Sequence, residues 1–424
     1  MFRLATRLAP TFCAGAALLA CGGEADDGAR AVEALSSLPS AFDASDPKAD
    51  DPATADMGVA VLPDAAPLTP DVPPAPVGVA VLGAGTHAIE NVEFSVLATR
   101  THGLRTPRAL AFNPEGEGEL WIVNQADDST VTIFGLDGDN PQAEKRIDPY
   151  ALHFMDNVSS IAFGAPMTFG TCQESLNTYN DMGPPNEFMG PSLWSADFDV
   201  YAQSNPEAVR GLGFDLGSHL DMLHESPLCM GIAWEADNIY WTFDGLTGSI
   251  TRADFKEDHG VGWDDHSDGV MARYADGEVA RVEDVPSHMV FDPSTELLYI
   301  ADTGNSRIAV LDTTSGRSRG RLEVKEPGTQ LWNMVDAELR TLVEGEAGEL
   351  SLPSGLVMHD GMLFVGDNET GRISAYLVTT GERVDYLETG VRPGGLMGLT
   401  FDTHGQLYAV DGRDNRLLRF SGKR

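Results

Sequence analysis

Residues 286–312 read PSHMVFDPSTELLYIADTGNSRIAVLD and carry the pattern from which the fold follows. This stretch contains three short apolar segments, which are HMVFD from His288, LYIAD from Leu298 and RIAVLD from Arg307. β-Branched and aromatic residues favour extended strands, whereas the Asp, Pro, Ser, Gly and Asn residues between the segments favour turns. The stretch therefore predicts three strands that are joined by short turns.

The same arrangement recurs six times along the chain. The first segments of the units begin at Ala109 (ALAFN), Ser160 (SIAFG), Gly231 (GIAWE), His288 (HMVFD), Gly355 (GLVMH) and Gly398 (GLTFD). The second segments are LWIVN from Leu120, LWSAD from Leu193, YWTFD from Tyr240, LYIAD from Leu298, LFVGD from Leu363 and LYAVD from Leu407. Six units of three or more strands predict an all-β fold, a six-bladed β-propeller that occupies residues 86–424.

Two of the units resemble a known repeat. Residues 286–312, with the motif ADTGNSRI, and residues 398–420, GLTFDTHGQLYAVDGRDNRLLRF, resemble the NHL repeat of mostly six-bladed propellers. The resemblance covers most of 104–424; it is strong in these two units, fair in the first, third and fifth, and weak in the second. The YWTF sequence from Tyr240 is also similar to the YWTD propellers. Both similarities imply an NHL or TolB-like propeller in which the apolar columns pack blade against blade.

A segment ahead of the first unit provides a strand that can close the ring. The chain ends soon after the third strand of the sixth unit, and residues 93–99, EFSVLAT, form an extended apolar segment before the first unit. A strand paired across this junction would remove an exposed sheet edge. We therefore predict that residues 93–99 form the outer strand of the last blade.

The amino terminus has the pattern of a bacterial lipoprotein signal. Two arginines precede an apolar stretch that is shorter than the ~20 residues of a membrane-spanning helix, and residues 18–21 read LLAC. This sequence resembles the lipobox, which implies that residues 1–20 are a signal peptide and that Cys21 becomes lipidated. An ordinary signal peptide that is cleaved elsewhere is the alternative. The resemblance implies a cell-envelope location, and Gly22 after the cysteine implies the outer membrane.

Residues 21–85 have the composition of a tether. They contain 11 acids against two bases, and Phe42 is their only aromatic residue. Such a segment cannot bury enough apolar surface to offset the entropy of ordering. We therefore predict a disordered, acidic, Ala/Pro-rich tether between the lipid anchor and the propeller.

The charge of the chain excludes two classes of partner. Acids outnumber bases 65 to 28, which gives a formal net charge of -37. Proteins that bind nucleic acids or anionic membrane surfaces need a basic footprint instead. We expect a monomer that binds no nucleic acid and contacts the membrane only through its lipid anchor. Its partner is a protein or a small molecule, which the sequence does not identify.

The column of first-segment residues points to the mouth of the central channel. Five of its members are small, as a crowded axis requires, and the sixth is His288. His219 and His224 precede the inner strand of the third unit, so the three imidazoles can converge on one zinc ion, with Asp221 or Glu225 as general base. An amidating lyase of this propeller family holds zinc with channel histidines, although its histidine directly follows a proline and here one residue intervenes. The alternative is a polar plug in the channel and two surface histidines.

A second group of candidate ligands lies in the segment EDHGVGWDDHSDG from Glu257. His259, Asp264, His266 and Asp268 belong to it, and the spacing of the last three resembles the start of a calcium loop. An alanine stands at the twelfth position, where an EF-hand has its Glu, so an EF-hand is excluded. A calcium site and a solvated acidic loop both stay open, as does the face of the propeller that carries the segment.

Cys172 and Cys229 are the two cysteines that remain if the signal is cleaved and Cys21 is acylated. In an oxidising compartment such a pair is expected to be bonded. The insertion 164–192, which includes Cys172, would then be pinned over the channel mouth as a lid. Two free thiols or a Cys–His metal site are the alternatives.

Three functions are compatible with these patterns. The leading one is a lipid-anchored extracytoplasmic module that binds a ligand or protein through its channel face. The second is a metal-dependent lyase or hydrolase that holds one transition metal, zinc first, at His219, His224 and His288. The third is a calcium-stabilised scaffold, and the sequence leaves enzymatic activity open.

Overall fold

A computed structural model describes residues 78–423 except 139, 165, 177–186 and 347. The predicted signal peptide, Cys21 and most of the predicted tether lie outside these residues. In the described part the α-helices are short and are Ala151–Phe154 (α1) and Pro206–Leu212 (α2). None of the helices in that part is long and apolar enough to cross a membrane.

The strands of the described residues form six sheets, which confirms the predicted six-bladed β-propeller. The first strand is Val92–Ala98 (β1). Blade 1 contains Pro107–Phe112 (β2), Leu120–Asn124 (β3), Ser129–Phe134 (β4) and Gln142–Ile147 (β5). Blade 2 contains Val158–Phe163 (β6), Thr168–Gln173 (β7), Ser192–Ser195 (β8) and His219–Met222 (β9).

The remaining strands follow the same inner-to-outer order. Blade 3 contains Cys229–Ala236 (β10), Ile239–Asp244 (β11), Ser249–Asp254 (β12) and Val270–Tyr274 (β13). Blade 4 begins with Met289–Asp292 (β14), Leu297–Asp302 (β15) and Arg307–Asp312 (β16), after which come Arg317–Arg321 (β17), Gln330–Val335 (β18) and Leu339–Glu344 (β19). Blade 5 contains Pro353–His359 (β20), Met362–Asp367 (β21), Arg372–Leu377 (β22) and Arg383–Glu388 (β23), and blade 6 contains Leu396–Phe401 (β24), Leu407–Asp411 (β25) and Arg416–Gly422 (β26).

The antiparallel order gives the propeller two distinct faces. The inner strand of every blade begins on one face, which we call the entry face, and ends on the other, the exit face. Because neighbouring strands of a blade run in opposite directions, the second strand of each blade ends on the entry face. Residues that precede an inner strand and residues that follow a second strand therefore surround the same channel mouth.

Strand β1 is the outer strand of blade 6, as predicted. It pairs antiparallel with β26, and Phe94 lies opposite Phe420 with 5.4 Å between the ring centroids. The two ends of the propeller chain thus share one sheet. This pairing removes the free edge that β26 would otherwise expose.

Residues 78–85, the last part of the predicted tether, lie on the propeller. Leu82 is fully buried. The carboxylate of Asp385 accepts hydrogen bonds from the backbone N–H groups of Val79 and Gly85 at 2.7 and 2.9 Å. The predicted tether boundary at residue 85 therefore comes too late by these eight residues.

Blade 2 departs from the predicted strand order. The segment LWSAD from Leu193, predicted as the second strand, forms the third strand β8, and the second strand is β7. The segment 164–192, predicted as an insertion, thus contains the second strand, and only residues 174–191 connect the second strand to the third. The sequence pattern did not reveal β7 as the second strand, because TFGTCQ has few of the apolar residues that mark the second strands of the other blades.

A hairpin that follows the third strand of blade 4 belongs to the sheet of blade 3. Strands β17 and β18 leave blade 4, and β18 pairs in parallel with β13, so that blade 3 has six strands. The chain then returns as β19, which completes blade 4 beside β16. The new outer edge is β17, RSRGR, whose positive charges protect an exposed edge from pairing with another chain.

The apolar core lies between the faces of adjacent blades. Trp121 of blade 1 is fully buried, and its ring centroid lies 5.2 Å from that of Phe169 of blade 2. Small residues allow the inner strands to approach one another around the axis. A Cβ atom added to Gly231 would lie 2.0 Å from the carbonyl oxygen of Ser287, which is far closer than real atoms approach.

Cys172 and Cys229 form a disulfide, as predicted. Their Cα atoms are 5.1 Å apart, and both residues are fully buried. Cys172 lies on β7 of blade 2, and Cys229 begins β10, the inner strand of blade 3. The bridge therefore ties two adjacent blades. Residues 177–186 of the insertion 164–192 lie outside the described residues, so the lid stays a prediction.

Candidate functional site

A group of histidine and carboxylate side chains lies where blades 2 and 3 meet, and we call it the imidazole–carboxylate cluster. It draws residues from α1, from β9 and the residues that follow it, from the loop between β12 and β13, and from the loop between β17 and β18. Its members are His153, His219, Asp221, His224, His259, Asp264, His266, Asp268 and Glu326.

Backbone hydrogen bonds explain why residues about 40 positions apart meet here. The N–H of Gly262 donates to the carbonyl oxygen of His219 at 2.8 Å, and the N–H of His259 donates to that of Leu220 at 3.4 Å. The loop between β12 and β13 therefore runs along the outer edge of blade 2. This contact brings the second predicted ligand set to the side of β9.

Five members form an alternating series of acids and imidazoles. Nε2 of His266 lies 3.3 Å from Oδ1 of Asp264, and Nδ1 of His266 lies 2.7 Å from Oδ1 of Asp221. Nε2 of His259 lies 4.0 Å from Oδ2 of Asp221 and 2.9 Å from Oδ1 of Asp268. Asp221 therefore connects the buried His266 to the partly exposed His259.

Asp221 has one buried oxygen for which no described residue provides a hydrogen bond. Oδ1 accepts a hydrogen bond from the N–H of Met222 at 2.6 Å as well as facing His266, whereas Oδ2 has no such partner. In the described part of the chain, single donor atoms of Asp221, His259 and Asp268 all lie within 4.8 Å of one another. Burial raises the pKa of Asp221 to about 6, so the carboxylate is ionised at neutral pH.

His219 and His224 are buried, neutral imidazoles. Nδ1 of His219 lies 3.0 Å from the carbonyl oxygen of Leu216, and Nδ1 of His224 lies 2.7 Å from Oε2 of Glu326. The carbonyl partner assigns the proton of His219 to Nδ1, and no described residue hydrogen-bonds to Nε2 of either histidine. Burial lowers the pKa of His219 to about 3 and holds the pKa of His224 well below its usual value.

Aromatic rings hold both imidazoles in place. Phe154 stacks on His219 with 3.6 Å between the ring centroids, and Phe188 stacks on His224 with 3.7 Å. Phe188 belongs to the described end of the long insertion in blade 2. This part of the insertion therefore covers the imidazole–carboxylate cluster.

His266 lies between the other histidines of the cluster. Its ring centroid is 5.7 Å from that of His219 and 5.5 Å from that of His224. Burial opposes a charge on His266, but the hydrogen bond with Asp221 and the carboxylate of Asp264, 3.3 Å from Nε2, outweigh it and raise the pKa to about 10. His266 is therefore an imidazolium held between two carboxylates.

The structure separates the three histidines that were predicted to converge. His219 and His224 do lie together, but His266 joins them there. His288 lies in the channel, where its Nε2 is 3.3 Å from the carbonyl oxygen of Ser159 at the start of blade 2, and burial lowers its pKa to about 4. Metal ligation by His219, His224 and His288 stays a prediction.

The second predicted set, in contrast, is assembled on one loop. Its two acids face different imidazoles, since Asp264 lies beside His266 and Asp268 lies beside His259. Among the described residues, His259 and Asp268 of this set have donor atoms within 4.8 Å of one another and of Asp221. Metal ligation by the whole set stays a prediction.

One predicted base is already engaged, and two members of the cluster were missed. Oε1 of Glu225 accepts a hydrogen bond from the N–H of Lys325, and Oε2 lies 3.4 Å from Nζ of Lys325.

Sequence patterns did not point to His153 or Glu326. Neither stands in a ligand motif or a repeat position, and only the packing of blades 2 and 3 brings it to the site.

The propeller has a cavity on each face, and the one on the exit face is lined by blades 1, 5 and 6. The cavity at the entry face has a volume of about 420 Å³, and Gln125 and Asp284 contribute to its wall. The cavity at the exit face has a volume of about 620 Å³ and includes Phe112, His359 and Phe401. The larger of the two therefore lies at the opposite end of the inner strands from the mouth that Gln125 and Asp284 surround.

No protein-family model and no curated protein matches the sequence. Solved structures match its fold. An auxiliary nutrient binding protein from Bacteroides ovatus is 12% identical with a TM-score of 0.46, and the match covers 80% of this chain and 75% of that one. Virginiamycin B lyase from Staphylococcus aureus is 10% identical with a TM-score of 0.45 (78% of this chain, 99% of that one), and the calcium-binding protein regucalcin from Agrobacterium tumefaciens is 11% identical with a TM-score of 0.46 (80% of this chain, 96% of that one). Similarity at this level concerns the fold and identifies no ligand.

Proposed function

We propose that this protein is a lipid-anchored, NHL-type β-propeller of the bacterial cell envelope that binds one divalent metal ion at Asp221, His259 and Asp268. The observation that carries the metal site is the buried Oδ2 of Asp221, which lacks a hydrogen-bond partner among the described residues and lies 4.0 Å from Nε2 of His259. The anchor at Cys21 and the NHL relationship rest on the sequence patterns.

A buried carboxylate oxygen without a partner is energetically unfavourable. Leaving a buried polar group unsatisfied costs about 1–3 kcal/mol, and more when the group is charged. A cation between Asp221, His259 and Asp268 would satisfy the orphan oxygen and compensate two carboxylate charges. Such binding requires neutral His259, so that Nε2 offers its lone pair instead of a proton to Asp268.

Neighbouring groups hold Asp221 in the orientation that this site needs. The N–H of Met222 and Nδ1 of His266 both face Oδ1, which leaves Oδ2 for the cation. Asp264 holds His266 in turn from its other side. Partners of this kind fix the orientation and basicity of metal ligands.

The ligand types favour a transition metal. Calcium prefers six to eight oxygen ligands, whereas an imidazole with two carboxylates suits zinc or manganese. Three protein ligands leave a position open, and an ion held in this way supplies Lewis-acid chemistry when it is bound. A lyase or hydrolase activity would in addition require a substrate beside His259 and Asp268, the exposed side of the set.

Calorimetric titration of zinc into chelator-treated protein tests the metal site. We expect one saturable site in the wild type, and Asp268→Asn and His259→Gln should each weaken it about tenfold or more because each removes a ligand. His404→Gln is the matched control, since His404 is an exposed histidine 3.9 Å from Asp402 and should leave the affinity unchanged. Tighter binding of calcium than of zinc would favour the calcium scaffold, and absence of saturable binding would refute the proposal.

Membrane fractionation tests the anchor separately. Cys21→Ser removes the sulfur that carries the lipid, so we expect the variant in the soluble fraction and the wild type with the membranes. Equal fractionation of the two proteins would contradict lipidation at Cys21.

The second candidate function is recognition of a small molecule or a protein through the channel face. The cavity of about 420 Å³ at the entry face favours it, because small-molecule sites usually enclose 300–1,000 Å³. This function does not depend on the metal site, which lies between the outer parts of blades 2 and 3.

A further inference from the structure

Arg108 is a buried cation in the wall of the channel. It is the second residue of β2, the inner strand of blade 1, and its exposed fraction is 0%. Arginine is seldom fully buried unless its charge is paired. Nη1 of Arg108 donates to Oε2 of Glu174 at 2.6 Å, so one edge of the guanidinium group is in a buried ion pair.

The other edge of the Arg108 guanidinium has no partner among the described residues. Nε and Nη2 are both buried, and neither donates a hydrogen bond there. These two nitrogens form the edge with which arginine holds a carboxylate through two parallel bonds. Arg252 uses the same edge in this way, donating from Nε and Nη2 to the two carboxylate oxygens of Glu235 at 2.7 and 2.6 Å. Arg108 therefore retains an intact carboxylate-binding edge.

Glu174 does not neutralise this part of the channel. Its Oε1 accepts hydrogen bonds from Nη1 of Arg281 at 2.7 Å and from the backbone N–H of Asp284 at 3.0 Å. One carboxylate thus serves two guanidinium groups. His288, near enough for the charge of Arg108 to contribute to its lowered pKa, is neutral. The buried part of this group, Arg108 and Glu174 with Arg281, therefore has one positive charge more than negative charges, and the carboxylate of Asp284, which would offset it, lies on the exposed side.

A hydrogen bond crosses the channel mouth beside this group. Nε2 of Gln125, which follows the second strand of blade 1, donates at 2.7 Å to Oδ1 of Asp284, which precedes the inner strand of blade 4. Blades 1 and 4 are opposite one another in a ring of six. Both residues line the entry-face cavity, and the bond between them is exposed. Asp284 therefore connects this cavity to Glu174 and Arg108.

We propose that the Nε–Nη2 edge of Arg108 binds the carboxylate of a small organic acid, which enters from the entry-face cavity when the bond between Gln125 and Asp284 opens. A planar carboxylate accepts both hydrogen bonds, and its negative charge lies directly against the buried guanidinium edge that has no partner among the described residues. The inference rests on the second candidate function, binding through the channel face, and names the class of its ligand.

Acetate and benzoate, with acetamide and benzamide as neutral isosteres, are suitable probes. In buffer free of other carboxylates, we expect the wild type to bind an acid at least about tenfold more tightly than its amide. Arg108→Lys keeps the charge but lacks the two-nitrogen edge, so it should lose at least about tenfold in acid affinity. Arg317→Lys, at an arginine whose side chain is 70% exposed, should change nothing.

Each failure identifies the step that is wrong. Equal acid affinity of the wild type and Arg108→Lys would overturn the assignment to Arg108. Binding of phosphate but of neither acid would overturn the carboxylate class, and binding of the amides alone would overturn acid recognition while still supporting a channel ligand. No binding of either acid overturns the inference as well.

Hydrogen exchange in the wild type provides a readout that does not depend on the variant folding. An acid, but not its amide, should slow exchange of the backbone amides in residues 105–111 and 281–288. These segments contain Arg108 and the Arg281–Asp284 side of the mouth. Unchanged exchange in both segments at saturating acid would contradict the proposed location.

Discussion

Gly231 shows how strictly a single residue is constrained near the axis. A Cβ atom there would lie 2.0 Å from the backbone oxygen of Ser287, which cannot move without shifting the inner strand of blade 4. We expect Gly231→Ala to lower the free energy of unfolding by about 2 kcal/mol or more, measured by urea denaturation. Gly138→Ala is the control, because its Cβ would meet only the oxygen of Gly135 at 3.4 Å. Equal stability of the two variants would show that the inner strands have room for a side chain at position 231.

Asp128 makes stability depend on pH. Burial raises its pKa to about 7, although the N–H of Asn157 donates to its carboxylate at 2.9 Å. The folded state thus holds this proton more tightly than the unfolded chain, so the stabilisation is complete below about pH 4 and is lost as the pH rises through 7. Asp128→Asn removes the titration and tolerates the left-handed backbone, φ 50°, at this position.

The midpoint of urea unfolding, measured between pH 5 and pH 8, tests this expectation. It should fall more steeply with pH in the wild type than in Asp128→Asn. Parallel pH profiles of the two proteins would show that Asp128 does not titrate in this range.

Among the strands, β1 has an effect beyond its seven residues. It closes blade 6 and covers the edge of β26, with Val92 and Ala98 buried. A chain that begins at residue 99 should therefore melt about 10 °C or more below a chain that begins at residue 92, which keeps β1, as measured by calorimetry. Equal melting temperatures would mean that the ring does not depend on this closure.

The disulfide joins two strands of adjacent blades and closes a separation of 57 residues. In the chain-entropy model such a loop contributes about 4 kcal/mol, because the bond restricts the unfolded chain. Replacing Cys172 and Cys229 together by alanine should lower the urea midpoint accordingly, without a change in the far-ultraviolet circular dichroism. Titration of two free thiols in a denatured, unreduced chain that begins at residue 78, where Cys172 and Cys229 are the cysteines, would contradict the bond.

For the molecule as a whole, the net charge of -37 sets the response to salt. Acidic side chains repel one another more strongly in the folded state, where they are closer together, and salt screens this repulsion over about 10 Å at 0.1 M. We expect the melting temperature to rise by a few degrees between 0.02 and 0.5 M sodium chloride. A fall over this range would mean that exposed ion pairs such as Arg317–Asp336, which salt screens, outweigh the repulsion.

Much of the fold follows from local patterns in the sequence that indicate strands and turns. The segments from His288, Leu298 and Arg307 are apolar between polar turns, and this alternation is sufficient to form strands. Their sixfold recurrence predicts the ring of blades, and the apolar residues 93–99 predict the strand that closes it. Strands and turns depend on neighbours in the chain, and closure follows from the repeat count, because the last unit lacks an outer strand that the segment before the first unit can supply.

The candidate sites depend on contacts between distant segments, and only the tertiary structure decided them. The sequence pattern grouped His219 and His224 with His288, but the loop between β12 and β13 runs along β9 and brings His266 there instead. In the same way, β18 joins blade 3 although it follows three strands of blade 4. Spacing along the chain does not specify which strand edges and buried charges will meet, because that outcome is set by packing between whole blades.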